Sequence, residues 1–104
     1  MQNRDYRGFY KYSYITLLNG EKSLYIEEIR ADKYGYGYGS SMLQEILDIA
    51  EENNTSCCLN ANCNIYDEKG LTQEELEEWY FRYGFNPALD LDPFNSTNFF
   101  YRDK

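Results

Sequence analysis

The sequence predicts a small α/β domain built on a mixed sheet, and three observations carry that expectation. Aromatic and β-branched residues dominate the first third and are divided by Asn19-Gly20. A helical pattern then separates two strand-like segments, which makes a βαβ unit. A capped amphipathic helix and a short aromatic segment close the chain. At 104 residues there is room for one domain, residues 1–104, around one modest core.

Residues Phe9 to Leu18 (FYKYSYITLL) form the first strand, and Asn19-Gly20 turns it because both residues tolerate positive φ. Ser23 to Ala31 (SLYIEEIRA) returns antiparallel to it. Simple alternation puts Leu24, Ile26 and Glu28 on one side of this strand and Tyr25, Glu27 and Ile29 on the other. After KYGYGYGSS comes a helix over SSMLQEILDIAEENN, with Leu43, Ile46, Leu47 and Ala50 on one stripe and Asn53-Asn54 as its stop. Ser56 to Ala61 (SCCLNA) reads as a buried strand, parallel to the second because a helix connects them.

Thr72-Gln73-Glu74-Glu75 is a capping box that opens the second helix. Leu76, Trp79, Tyr80 and Tyr83 give that helix its apolar face, and Gly84 suits its C-terminal cap. Glu74, Glu75, Glu77 and Glu78 read first as a solvated face and second as a landing patch for a basic protein. LDLDPFNST reads as a loop, and Asn98 to Tyr101 as a closing strand. Asn60, Asn62 and Asn64 read as a strand end and turn, with hydrogen bonding to a cofactor as the second reading.

Lys plus Arg number 10 against 18 Asp plus Glu, a formal charge of −8. That balance argues against a partner tracked through its phosphates, and suits a basic protein, a polyamine or a lysine-bearing substrate. Histidine is absent, which excludes histidine bases, triads and metal ligands. Cys57, Cys58 and Cys63 lack the spacing of a zinc site or a redox pair and are expected as reduced core residues, with no metal. The start MQNRDYRG has no signal-peptide pattern and no apolar run is long enough to span a bilayer, so a cytoplasmic protein is expected.

Gly35, Gly37 and Gly39 alternate with Tyr34, Tyr36 and Tyr38 between a strand and a helix, where backbone N–H groups make an anion site. No lysine follows in the manner of GxxxxGK[ST], so a P-loop fails; the third glycine comes one residue early for GxGxxG. What remain are a pyrophosphate arm for coenzyme A and a plain glycine-rich turn.

The chain resembles the GCN5-related N-acetyltransferase (GNAT) family in two motifs. Tyr34-Gly35-Tyr36-Gly37-Tyr38-Gly39, followed by Ser40-Ser41-Met42-Leu43, is similar to the family's R/Q-x-x-G-x-G/A phosphate loop, with Tyr34 standing where Arg or Gln is usual. Gly70 to Phe85 (GLTQEELEEWYFRYGF) is similar to a segment that family members carry further along. The resemblance covers about Leu24 to Phe85. It leaves no room before residue 8 for the family's N-terminal strand and paired helices, so a miniature GNAT-like domain is expected, with an N-terminal hairpin, a central βαβ unit and a C-terminal helix plus strand. In size, acidity and order of elements it is similar to phage-encoded anti-CRISPR acetyltransferases, which implies a bacterial or phage-infected cell.

The resemblance implies acetyl-CoA as cofactor and direct transfer of acetyl to an amine, above all a protein lysine. It assigns Ile29, Arg30, Ala31, Tyr34, Gly35, Tyr36, Gly37, Tyr38, Gly39 and Ser40 to the cofactor, with backbone N–H groups near Ile29 facing the oxyanion. Tyr80 is the candidate acid for the leaving thiolate, against a plainer reading as one more core aromatic. An amine of pKa about 10.4 must lose a proton first, and without histidine a carboxylate acting through water is the base. Glu27 is the first candidate, because it shares a side with Ile29, and Glu28 the second; both also read as ordinary strand-face carboxylates. The open acceptor side favours a macromolecular acceptor or completion by a homodimer. The rival expectation is a non-catalytic inhibitor that blocks a basic partner through its acidic, tyrosine-rich surface.

Overall fold

The computed structural model describes residues 1–62 and 71–104, so Cys63, Asn64 and Gly70 lie outside the described residues. Its elements run β1 (Gln2–Asp5), β2 (Gly8–Thr16), β3 (Lys22–Ala31), α1 (Tyr38–Glu52), β4 (Ser56–Asn60), α2 (Gln73–Arg82), β5 (Asn86–Pro87), a 3-10 turn (Leu89–Leu91) and β6 (Phe99–Arg102). One mixed sheet of six strands takes the order β1-β2-β3-β4-β6-β5. Among the described residues only β3 and β4 pair in parallel, as the helical crossover between them requires. Both helices pack on one face of the sheet. No helix among the described residues is long and apolar enough to cross a membrane.

The core follows from the apolar stripe of α1. Met42, Leu43, Ile46, Leu47 and Ala50 press onto Tyr10, Tyr12, Leu24, Ile26 and Leu59 of the sheet, and α2 adds Tyr80 with Leu76, Trp79 and Tyr83 beside it. A smaller cluster on the opposite face gathers Leu17, Cys58 and Phe99, with Tyr25, Leu91 and Tyr101 against them. Cys57 and Cys58 are buried free thiols. Pairs such as Leu24 and Cys57 are neighbours through the parallel register, and Cys58 faces Tyr101 on β6.

Local signals place the helix ends. Thr72 accepts from the Glu75 N–H while the Glu75 carboxylate accepts from the Thr72 N–H, so the capping box is formed. Asn53 caps α1 and Asn54 follows at φ 54, the left-handed conformation asparagine tolerates. Asn19-Gly20 turns the chain as expected, within a five-residue connection from Leu17 to Glu21 that the Leu17 N–H closes onto the Glu21 carbonyl.

Two expectations are corrected. A four-residue N-terminal strand does precede residue 8: polar β1 pairs antiparallel with β2, turning through Tyr6-Arg7 and Gly8. Its charged composition hides it in the sequence, because an edge strand needs no apolar face. Gly8 is required there, since a Cβ would stand 2.0 Å from the Arg30 carbonyl oxygen. The second correction concerns β3. Tyr12 opposes Ile26 and Lys11 opposes Glu28, so Glu27 has no opposite residue and forms a β-bulge. The extra residue resets the alternation. Ile29 therefore joins Leu24 and Ile26 on the helix-covered face, and Glu27 and Glu28 both turn to the other.

Candidate functional site

The site is built where β3 and β4 separate. Their parallel register runs Ser23 to Ile26 against Ser56 to Leu59 and ends there. Beyond it, Glu28 to Ala31 pair with β2 alone, while Asn60 pairs with Phe99 of β6 and the Ala61 N–H donates to the Asn98 carbonyl at 2.9 Å. The two strands thus open a mouth, and the bulge at Glu27 stands at its corner. Main-chain groups of β3 beyond the bulge that face the mouth have no strand partner among the described residues.

The chain leaves β3 through an exposed loop and enters α1 at Gly37, which holds φ 72 and ψ 17 and gives α1 no side-chain cap. The first helical return is the Ser41 N–H to the Gly37 carbonyl, 2.9 Å, so the N–H groups of Tyr38, Gly39 and Ser40 have no intrahelical acceptor. No acidic residue occupies the first turn of α1. Three uncapped donors and the positive end of the helix dipole make a place suited to an anion. Gly39 lies under α2, because a Cβ there would stand 4.0 Å from the Trp79 ring.

A half-buried polar knot fixes this end of the molecule. The Arg7 guanidinium, 10% exposed, pairs with Asp5 at 2.6 Å and with Glu45 at 3.2 Å, and donates to Ser41 Oγ at 3.0 Å. The Tyr10 hydroxyl donates to the same Glu45 carboxylate. Asp5 is held down to about 2, above all by its hydrogen bonds from Arg7. The β1–β2 turn is thereby tied to the first turns of α1, and Arg7 is already engaged on three sides.

Tyr80 sits on α2 in the main core, 8% exposed, against Trp79 and Phe85. Burial pushes its phenol up from the ordinary value, with Cys57 adding to the effect. Its hydroxyl makes no hydrogen bond among the described residues, where no buried side-chain oxygen is left without a partner, so this oxygen keeps a narrow contact with solvent. Glu27 is exposed on the opposite face. The Arg30 guanidinium donates to the Glu28 carboxylate at 2.6 Å. The expected pairing of Glu27 with Ile29 on one side is corrected by the bulge. Tyr80 and the two carboxylates therefore stand on opposite faces of the sheet, with the mouth between them. Ile29 and Ala31 line the core side, and Arg30 points to the other.

Sequence reasoning missed the wall on that second face. Asn60 Nδ2 donates to the Tyr25 hydroxyl at 2.8 Å. The Ser96 hydroxyl sits between Asp92 Oδ2 and Asn60 Oδ1, 2.5 Å from each. Asp92, 4% exposed, also receives the N–H groups of Phe94 and Ser96 and lies below the ordinary carboxylate range; burial opposes this, and the Ser96 and Phe94 donors outweigh it. Phe94 covers Tyr25 with ring centroids 5.0 Å apart. Asn62 accepts from Asn98 at 2.8 Å, so both described asparagines of the alternating set hold the loop before β6. The Asp-x-x-x-Ser spacing of residues 92 and 96 was the one signal available, since it is a turn that caps its own backbone. A separate polar cleft at the C-terminal end of α1, lined by Glu51, Asn54 and Arg102, is remote from these groups.

The fold and site define a small mixed α/β protein with a split parallel pair and a glycine loop at the split. No protein-family model matches the sequence, and the comparison with curated proteins gives no match. Among solved structures the chain is similar to the anti-CRISPR protein AcrVA5, with a TM-score of 0.73 and 22% identity over 97% of this chain and 95% of that one. At that identity the likeness is one of fold.

Proposed function

We propose that this protein is an acetyl-CoA-dependent N-acetyltransferase that modifies an amine on a protein partner, a lysine being the chemistry its acidic surface suits. The observation that carries the reading is the mouth between β3 and β4, with the Glu27 bulge at its corner and uncapped α1 donors at its edge. A thioester arm needs a slot with main-chain donors along one side, and a pyrophosphate needs N–H groups without a competing carboxylate. Both requirements meet residues 27–31 and 35–40. In this reading the amine nitrogen loses a proton through water to Glu27 and attacks the thioester carbonyl. N–H groups near Ile29 hold the oxyanion, and the thiolate leaves toward Tyr80, whose hydroxyl supplies a proton. Attack from one face and departure to the other fit the separation of Glu27 from Tyr80. The name of the structural neighbour supports a protein target, in the manner of an anti-CRISPR inhibitor.

Titration calorimetry with acetyl-CoA tests the proposal. Micromolar binding, together with acetyl transfer to lysines of a basic partner, is the expected result; no binding at millimolar acetyl-CoA overturns it. A second reading, an inhibitor that blocks its partner without chemistry, draws on the same acidic surface and on the Glu28–Arg30 pair, which keeps one candidate carboxylate occupied. Inhibition unaffected by acetyl-CoA would favour it.

A further inference from the structure

We propose that Tyr6, Tyr36 and Tyr38 form a ledge on which a purine ring stacks, so that the adenine of acetyl-CoA rests here while its pyrophosphate meets the start of α1. The inference rests on the acetyl-CoA reading and adds a nucleotide-binding element to it. Tyr6 and Tyr36 are 77% and 65% exposed, an unusual placement for phenol rings that could pack inward. They are nevertheless ordered against one another. Tyr36 stacks on Tyr38 with centroids 5.4 Å apart and planes at 22°, and Tyr6 meets Tyr38 edge-on at 5.6 Å. Tyr6 reaches this position from a different part of the chain, because the Arg7 knot ties the β1–β2 turn to Ser41 and Glu45. The ledge is thus held in place before any ligand arrives, which reduces the ordering a ligand must impose.

What occupies it follows from its neighbours. Tyr36 immediately precedes Gly37, and Tyr38 is the first residue of α1, so a flat aromatic surface adjoins the uncapped N–H groups. Lys33 brings an ammonium to 5.9 Å from the Tyr36 centroid, which places a positive charge beside the ledge. A planar base joined to phosphate by a ribose matches this order of surfaces. Stacking requires no hydrogen-bond code, because every base has a π face.

The test compares acetyl-CoA with acetyl-phosphopantetheine, which keeps the thioester arm and one phosphate and lacks the adenosine with its two phosphates. By calorimetry, Tyr36→Ala should weaken acetyl-CoA binding about tenfold and leave the truncated ligand unchanged, with Tyr36→Phe close to wild type. Tyr6→Ala should act in the same direction. Both side chains are exposed, so unchanged melting temperatures serve as the folding control. If wild type binds acetyl-CoA but neither alanine variant shifts its affinity, the ledge proposal is wrong and the acetyltransferase reading survives. Equal weakening of both ligands also overturns it, assigning Tyr36 to the phosphate loop. If wild type binds neither ligand, the acetyl-CoA reading falls and the ledge with it.

Discussion

Asn60 of β4 and Tyr25 of β3 are joined by a 2.8 Å hydrogen bond beside the last rung of parallel pairing, Ile26 opposite Leu59. Asn60 continues through Ser96 to Asp92, so one amide ties both strands to the loop before β6. Asn60→Ala and Tyr25→Phe, combined in a double-mutant cycle read by urea denaturation, should show a coupling of about 1 kcal/mol. Asn60→Ala should be the costlier single change, because it also strips a partner from Ser96. A coupling near zero would mean that the bond contributes nothing to the wall.

Removing Glu27 altogether separates fold from chemistry. Without it, Ile26, Glu28, Ile29, Arg30 and Ala31 alternate regularly, and the register with Tyr12, Lys11 and Tyr10 is preserved. The deletion should therefore fold with stability equal to wild type or higher, since a bulge interrupts the ladder it sits in. Acetyl transfer should be lost. Glu27→Gln, which keeps the bulge, should lower turnover while leaving acetyl-CoA affinity nearly unchanged. A deletion variant as active as wild type would remove the bulge from the proposed mechanism.

Tyr80→Phe asks whether a core aromatic also carries a proton. Its ring packs on Trp79 and Phe85 while its hydroxyl makes no bond among the described residues, so stability should change by less than about 0.5 kcal/mol. Turnover should fall about 100-fold, the size of a lost general acid, with acetyl-CoA affinity retained. Steady-state kinetics beside calorimetry reads both quantities. Unchanged turnover would leave Tyr80 with packing alone.

Stability should be highest between about pH 5 and pH 8 and fall on both sides. Asp5 and Asp92 are held below the ordinary carboxylate value, so the unfolded chain binds more protons in acid. Their contribution is present above about pH 4 and is lost as pH falls below it, that of Asp5 by about pH 2. In alkali the sign reverses. Cys58 is pushed up to about 12 by burial, and Cys57, Tyr10, Tyr80 and Tyr101 are also raised, chiefly by burial. Each keeps its proton longer when folded, so stability is lost as pH rises past the unfolded thiol and phenol values of about 8.5 and 10. Urea midpoints across pH check the shape, and Asp5→Asn should make the acid limb shallower.

Features set by near neighbours in the chain were legible. The Thr72–Glu75 box, the Asn53-Asn54 stop, the Asn19-Gly20 turn and the glycine loop each depend on a few consecutive residues. The side of Ile29 was not legible, because a bulge is defined by the register with a partner strand, here Lys11 and Tyr12. Nor was the Asn60–Ser96 contact, which spans 36 residues. β1 escaped because its QNRD composition resembles a loop more than a strand. Of the candidate site, the glycine loop was visible in the sequence, whereas the relation of Glu27 to Tyr80 across the sheet came only from three dimensions.

Among the described residues, four parallel rungs, Ser23 to Ile26 with Ser56 to Leu59, are the strand pairing between β1-β2-β3 and β4-β6-β5, and the Leu18 N–H adds a 3.1 Å bond to the Leu91 carbonyl beyond the Ser23 end. Mechanically the sheet is two leaves on a short hinge. The buried Ser56 to Ser23 hydrogen bond, 2.9 Å, lies at the closed end of this short join, and the mouth lies at the other. A ligand wedged into the mouth would load the Ile26–Leu59 rung first and the serine pair last. The width of the slot would then depend on residues at the opposite end of the parallel pair.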